Sequence, residues 1–179
     1  MSDPAVTIAE TPAGETLRRL VTESEIRSVL ARYCRAVDRM DWELLASLYH
    51  ADAIDNHVSF VGDVASFVNW VREVALPRFV WSMHNLGTCV IEIDGDTAHV
   101  ETYAVAYHGE HYSDDEELLK TIAVRYVDRF ESRAGGPWLI ADRVVTAEWR
   151  REERIPSQRL TRPDELTGRR DRLDVAYRR

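Results

Sequence analysis

The stretch TAHVETYAVAYH, residues 97–108, decides the fold because its side chains alternate with a period of two. This period is typical of a β-strand, in which successive side chains point to opposite faces of the sheet. Small residues on one face leave room either for closely packed helices or for a cavity, and the pattern leaves both outcomes open. The face with mainly small side chains carries Ala98, Val100, Thr102, Ala104, Ala106 and His108.

Strand patterns continue on both sides of this stretch. The run TCVIEI lies before it and is joined to it by the tight turn DGD. The runs LLKTIAVRYVDRFES and PWLIADRVVTAEW follow it, after the loop SDDEE and the turn AGG. Turns of this length connect neighbouring strands that run in opposite directions. The second half of the chain therefore predicts an antiparallel sheet.

Helical patterns dominate the first half of the chain. Thr22 and Glu25 form a capping box ahead of apolar residues at helical spacing, so the first helix is predicted to begin there. Asp41 and Asp63 are positioned to cap two further helices, the second of which ends before Pro77. One short strand is expected between these two helices. Helices followed by hairpin-linked strands indicate an α+β fold, with the helices on one side of the sheet.

The chain is interpreted as one domain with two flanking segments. Residues 1–20, rich in small and polar side chains, are expected to be a flexible leader, and residues 21–150 the folded domain. Residues 151–179 are expected to be a polar, extended tail. The last thirty residues hold ten arginines against six acidic residues, in a chain whose net charge is −8. Such a tail is expected to lie on the acidic body or on a neighbouring subunit.

The composition argues against several classes of function. A net charge of −8 argues against nucleic acid as a partner. The apolar runs are too short to span a membrane, and the N-terminus lacks the basic and apolar regions of a signal peptide. Cys34 and Cys89 do not make a disulfide framework. These features favour a cytoplasmic protein.

Three ionisable side chains stand out from their surroundings. His84 opens the first long strand, but its face is undecided because Gly87 can introduce a bulge that resets the alternation. Asp38 closes the first helix beside the apolar stripe, where a solvated charge is the simpler interpretation. Arg143 lies on the last strand. An arginine is rarely buried unless it is paired or faces a polar pocket, so the alternative interpretation places it on the solvent side. It is predicted to share a face with Leu139, Ala141, Val145, Ala147 and Trp149.

The segments YCRAVDRMDWELLASLYHADA, MHNLGT and GGPWLIADRVV together resemble the SnoaL-like branch of the NTF2-like superfamily. The resemblance covers residues 22–150 and is greatest to the branch's dehydratases and dehydrohalogenases. These are enzymes similar to scytalone dehydratase, hexachlorocyclohexane dehydrochlorinase and bile acid dehydratase. The resemblance implies a cone, in which a curved antiparallel sheet encloses a pocket closed by the N-terminal helices.

The resemblance also implies an active site. The aspartate–histidine dyad of these enzymes falls on Asp38 and His84, and their final-strand arginine falls on Arg143. The tyrosine of the bile acid dehydratase falls on Tyr33, where the dehydrochlorinase has a lysine, so the chain is closer to the dehydratase pattern. In that arrangement Asp38 orients the ring of His84, which removes a proton next to a carbonyl or a leaving group. Tyr33 would donate a hydrogen bond to the substrate, and Arg143 would stabilise the negative charge that develops on it.

Three further residues are predicted to bind the substrate: Asp55, His108 and Phe79. Asp55 stands where the dehydrochlorinase has a tryptophan, which argues against a halogenated hydrocarbon as substrate. His108 lies on the small-residue face of its strand, where a structural histidine is the alternative interpretation. Neither a metal nor another cofactor is expected, since the histidines have no spacing typical of metal ligands.

The leading hypothesis is a cofactor-independent lyase. It would be a dehydratase acting on a small cyclic, largely apolar hydroxy or keto compound of polyketide, steroid or terpenoid type. An isomerase or cyclase would use the same base on a similar substrate. A non-catalytic cone, from another functional class, would bind a ligand or support another subunit. A homo-oligomer, either dimer or trimer, is also expected.

Overall fold

The computed structural model describes residues 11–157 and 166–178. The α-helices within these ranges are α1 (Pro12–Asp38), α2 (Trp42–Ser47) and α3 (Val64–Trp70), and α3 continues into a π-helical turn at Val71–Ala75. The strands are β1 (Tyr49–His57), β2 (Phe60–Asp63), β3 (Phe79–Asp94), β4 (Thr97–His111), β5 (Glu116–Ser132) and β6 (Trp138–Pro156). The α+β class is therefore confirmed, and the region predicted as one short strand forms two, β1 and β2.

These strands form one sheet in the order β2-β1-β6-β5-β4-β3. The neighbours from β3 to β6 are antiparallel, as predicted, and so is the β1–β2 pair. Strand β1, however, pairs with β6 in parallel, so the sheet is mixed rather than purely antiparallel. A hairpin forces opposite directions, whereas β1 and β6 are separated in the chain by three long strands and are free to run in parallel.

Helix α1 begins ten residues before the predicted start. Thr11 is its N-cap, with a side chain that accepts a hydrogen bond from the backbone N–H of Gly14 at 3.1 Å, and Pro12 stands in the first turn. Proline is favoured there because its missing N–H would have no helical partner. The capping box at Thr22 therefore lies inside the helix. Residues 12–20, predicted as part of a flexible leader, are helical, and residues 1–10 lie outside the described ranges.

The two shorter helices are capped as predicted. The carboxylate of Asp41 accepts from the N–H of Leu44 at 3.2 Å, and that of Asp63 accepts from the N–H of Ser66 at 2.8 Å. Each bond pairs one of the backbone donors that a helix start leaves unsatisfied. These caps fix where the chain turns from α1 into α2 and from β2 into α3.

The small-residue face of β4 is buried along its whole length. Part of it packs against the helices and part of it lines a cavity, so both outcomes that the sequence left open occur. Ala98, Val100 and Ala104 belong to the packed core, together with apolar residues of α1. Ala106 and His108, towards the end of the strand, line a cavity. The helices thus close one end of the sheet by direct packing and leave the other end hollow.

Register shifts decide which side chains face this hollow. In β3 the pairing shifts between Leu86 and Cys89, as Gly87 had suggested, so His84 lies on the core-facing side of the strand. In β6 the pairing shifts near both ends. Leu139 and Trp149 consequently lie on the face opposite Arg143, and Trp149 is 53% exposed. The predicted single face of β6 is therefore wrong at both ends, since each bulge inverts the alternation.

The described part of the predicted tail lies on the body of the protein. Residues 151–156 continue β6, and residues 166–178, the C-terminal segment, pack against the helices. Arg172 and the Tyr177 hydroxyl donate to the two carboxylate oxygens of Asp41 at 2.8 and 2.9 Å. The positive segment is thus held by an acidic side chain of the same chain. No helix in the described ranges is long and apolar enough to cross a membrane.

Candidate active site

A cavity of about 350 Å³ lies between the concave face of the sheet and the helices. This volume suits a small organic molecule of a few rings. Apolar side chains from α1, α3, the π-helical turn and strands β3–β6 form most of its wall. Its ionisable groups come from three histidines, two tyrosines and two arginines: His57, His84, His108, Tyr33, Tyr126, Arg78 and Arg150.

Asp38 and His84 meet at this cavity. The carboxylate of Asp38, the last residue of α1, accepts hydrogen bonds from Nδ1 of His84 at 2.7 Å and from its backbone N–H at 3.0 Å. Because an ionised carboxylate can only accept, Nδ1 of His84 carries the proton and Nε2 is left with its lone pair. The two side chains are only 11% and 9% exposed. The geometry thus gives an oriented imidazole at a sheltered cavity wall.

Hydrogen bonds keep Asp38 ionised despite its burial. Burial alone would raise the pKa of this carboxyl group, but the bonds from His84 and from the Ser82 hydroxyl outweigh it, and the pKa lies below its usual value. The Ser82 hydroxyl donates to Asp38 at 3.0 Å. Asp38 is therefore a fixed negative charge beside His84 near neutral pH.

His108 joins the same hydrogen-bonded chain. Its Nδ1 lies 3.1 Å from the Ser82 hydroxyl oxygen, which already donates its hydrogen to Asp38 and so accepts from His108. Burial is the main cause that lowers the pKa of His108 to about 3, so this ring is neutral. Phe79 stacks on it with ring centroids 4.4 Å apart. The predicted binding residues His108 and Phe79 both line the cavity.

Tyr33 lines the cavity, but Arg143 does not. Burial raises the pKa of the Tyr33 hydroxyl well above its usual value, so it remains a proton donor. Arg143 is fully buried and donates from Nε and Nη2 to the two oxygens of Asp128, each at 2.7 Å. Its guanidinium lies 4.2 Å from the ring centroid of Tyr33 and 4.5 Å from that of Tyr126.

Arg143 is paired with Asp128 and does not line the cavity, so its contact with a substrate stays a prediction. Arg143 and Asp128 are direct cross-strand partners on the inner face of β6 and β5, so the carboxylate takes Nε and Nη2 of the guanidinium, and Nη1 has no hydrogen-bond partner among the described residues. The rings of Tyr33 and Tyr126 separate this pair from the cavity. Arg143 supports the floor of the site by holding two of its aromatic rings in place.

Asp55, also predicted to bind the substrate, is fully buried and does not line the cavity. It accepts from the Tyr49 hydroxyl at 2.7 Å and lies 3.3 Å from Nδ1 of His57. His57 does line the cavity, where its ring packs against Phe67 and Trp70. Asp55 thus reaches the site only through His57.

The sequence interpretation rejected the histidines as metal ligands and assigned His57 no other role, so it missed the place of His57 in the site. The signal was present in the spacing, because residues two apart on a strand share a face and an aspartate can then orient a histidine. Arg150 was missed because the bulge in β6 turns it inward, which alternation alone does not predict. Within the described ranges, no group of three or more histidine, cysteine or acidic residues is placed to hold a metal ion.

A curved mixed sheet that surrounds a cavity closed by N-terminal helices defines an NTF2-like cone. Comparison with protein families identifies the branch. The SnoaL-like domain family matches residues 18–144, so the chain belongs to this family. Among curated protein sequences, none matches the chain.

Solved structures agree with the cone. The type 2 hexachlorocyclohexane dehydrochlorinase LinA is 16% identical with a TM-score of 0.70, over 84% of this chain and 99% of that one. A proposed scytalone dehydratase from Novosphingobium aromaticivorans is 16% identical with a TM-score of 0.67, over 83% and 99%. An NTF2-like protein with a cystatin-like fold from the same species is 23% identical with a TM-score of 0.62, over 78% and 91%. At these identities the likeness establishes the fold alone.

Proposed function

We propose that the protein is a cofactor-independent dehydratase acting on a small cyclic, largely apolar hydroxy or keto compound of polyketide, steroid or terpenoid type. The observation that carries this proposal is the 2.7 Å hydrogen bond from His84 to Asp38, with the ring of His84 at the cavity wall. A scaffold or passive binding protein has no need of an oriented, sheltered imidazole. Membership of the SnoaL-like family and dehydratase and dehydrochlorinase structural neighbours support a lyase-like role.

The reaction assigns one role to each group. Nε2 of His84 removes a proton from the carbon next to a carbonyl, and the electrons of that C–H bond form the new C=C bond. The C–O bond breaks, and the departing hydroxide takes the proton from His84 to leave as water. Asp38 holds the ring and stabilises its charged form in between. Tyr33 donates a hydrogen bond to the carbonyl oxygen as negative charge develops there.

The proposal is tested with a panel of cyclic hydroxy-ketones and hydroxysteroids, watched for the ultraviolet absorbance of a newly conjugated double bond. We expect one or more to lose water, and His84→Ala to slow that turnover by about 10²–10⁴-fold. Asp38→Asn should slow it similarly, because the amide can hold the ring in the wrong tautomer. His99→Ala is the matched control, since His99 lies on the exposed face of β4.

Full activity in His84→Ala would show that the base is misassigned. A product of unchanged mass would identify an isomerase or cyclase that uses the same base. If His84→Ala and His99→Ala both bind the panel compounds and the wild type turns none of them over, the protein is a binding cone.

A further inference from the structure

We propose that the ligand of this cavity is an amphipathic anion, with an apolar body and one carboxylate-like or phosphate-like group bound by Arg150, while Arg78 adds positive charge at the rim. This inference rests on the proposed function for the identity of the site and narrows its substrate class. The fixed charges among the described residues that line the cavity are these two guanidinium groups, and no aspartate or glutamate side chain lines it. A chain of net charge −8 thus presents a positive cavity wall.

Neither guanidinium is neutralised by a carboxylate within the described residues. Most other arginines of β5 and β6 are ion-paired; Arg125, for example, contacts Glu101 at 2.8 Å and Glu148 at 2.6 Å. In the same ranges Arg78 and Arg150 have no ion pair, and the guanidinium of Arg78 lies 4.8 Å from the ring centroid of Phe79. Two unpaired guanidinium groups at the mouth of an apolar cleft attract anions and bind them by charge-assisted hydrogen bonds.

The sheet register places Arg150 relative to the proposed base. His84 pairs with Ala106, Ala106 with Ile122 and Ile122 with Arg150, so the four residues form one row across β3–β6. All four line the cavity. Three strand spacings amount to about 14 Å on a flat sheet, which is an upper limit for a concave one. The guanidinium of Arg150 thus reaches the cavity from β6, three strands away from the proposed base on β3, and the anionic group is bound towards that side.

The wall between the two ends of this row is apolar. It is formed largely by Ile122, Val124, Val145, Trp70 and Val71. Such a surface binds a hydrocarbon ring system by excluding water and offers few hydrogen bonds to a sugar or a nucleobase. The ligand that fits both the apolar wall and the positive side chain of Arg150 is a ring compound with one acidic group.

A matched pair of fluorescent probes tests the charge preference directly. Anilinonaphthalene sulfonate and phenylnaphthylamine have nearly the same apolar rings, but only the first carries an anionic group. We expect the sulfonate to bind about tenfold more tightly than the neutral probe, with a preference that shrinks as salt is added. Arg150→Gln and Arg78→Gln should each weaken sulfonate binding by about 3–10-fold and leave the neutral probe unchanged.

Three further variants locate the effect. Arg151→Gln is the matched control, because Arg151 is the next residue on β6, points to the other face and pairs with Glu153 at 2.6 Å. It should change neither affinity. Val74→Trp, at an exposed position on the cavity rim, should weaken both probes by narrowing the opening. His84→Ala, which removes a ring from the cavity wall, should change the affinities for the two probes by the same factor; an unchanged charge preference then separates anion binding from catalysis.

The inference is overturned if the two probes bind equally well, or if Arg151→Gln weakens sulfonate binding as much as Arg150→Gln does. It is also overturned if Val74→Trp has no effect, since the probes then bind elsewhere. A charge preference that depends on Arg150, without any turnover that depends on His84, would leave this inference standing and refute the proposed lyase. Turnover that depends on His84, without a charge preference that depends on Arg150, would refute only the proposal of an anionic ligand.

Discussion

Asp128→Asn should destabilise the protein strongly, because it leaves the guanidinium of Arg143 buried without a counter-charge. Both side chains are completely inaccessible to solvent. The pair is joined by two parallel hydrogen bonds of 2.7 Å, and the remaining surroundings of Arg143 include the faces of Tyr33 and Tyr126. An aromatic face attracts a cation, but it does not replace a carboxylate.

The magnitude follows from burial. Removing one partner of a fully buried ion pair costs about 3–5 kcal/mol, because the other charge stays desolvated. In a domain of this size each kcal/mol shifts the melting temperature by about 2–4 °C, so we expect a decrease of about 6–20 °C. Arg143→Met should have an effect of the same order.

Thermal denaturation followed by circular dichroism measures this loss. The double variant Arg143→Met/Asp128→Leu removes both charges and should be more stable than either single variant, since no unpaired charge remains. Arg125→Met, which breaks an exposed cluster of ion pairs on β5, is the control and should change the melting temperature little. A melting temperature for Asp128→Asn within about 2 °C of the wild type, or additive losses in the double variant, would refute the reasoning.

Three further outcomes are expected. Burial lowers the pKa of His108 to about 3, so below pH 6.5 the unfolded chain binds a proton that the folded chain does not. The free energy of unfolding should therefore fall by about 2 kcal/mol from pH 7 to pH 5. His108→Gln should remove that slope in urea denaturation, and an unchanged slope would contradict the assignment. Asp41→Ala removes a helix cap and the anchor of the C-terminal segment, so amide exchange there should rise about tenfold. Asp63→Ala removes only a cap and should leave that segment protected, and equal exchange in both variants would argue against the anchor. In Gly109→Ala the new Cβ would overlap Nε1 of Trp81, so the indole must move at a cost of about 1–3 kcal/mol. Unchanged thermal stability and unchanged tryptophan fluorescence would show that the indole of Trp81 is not displaced.

The sequence was informative wherever neighbouring residues control the outcome. The caps at Asp41 and Asp63 were identified from single side chains, because a cap bonds to a backbone group three residues away. The alternation in β4 correctly placed the buried face, and the order of elements correctly indicated the α+β class. The start of α1 was missed since a capping box also occurs inside a helix when the preceding residues are themselves helical.

The sequence predicted only part of the candidate site. Resemblance to a family suggested that Asp38 and His84 belong together, whereas alternation left the face of His84 open until the shift in β3 settled it. Arg143 was recognised as unusual, but its partner Asp128 lies on another strand and is found only from the cross-strand register. Arg150 enters the cavity through a bulge that no pattern in its own strand reveals.

The amino-acid sequence by itself determined the order of helices and long strands, the caps at Asp41 and Asp63 and the buried face of β4, because these depend on contacts between residues close along the chain. The tertiary structure alone decided that Arg143 meets a carboxylate, that Arg150 faces the cavity and that Asp55 contacts His57 instead of lining the cavity. Those outcomes depend on strand register, and a shift of one residue moves every later side chain to the opposite face of the sheet.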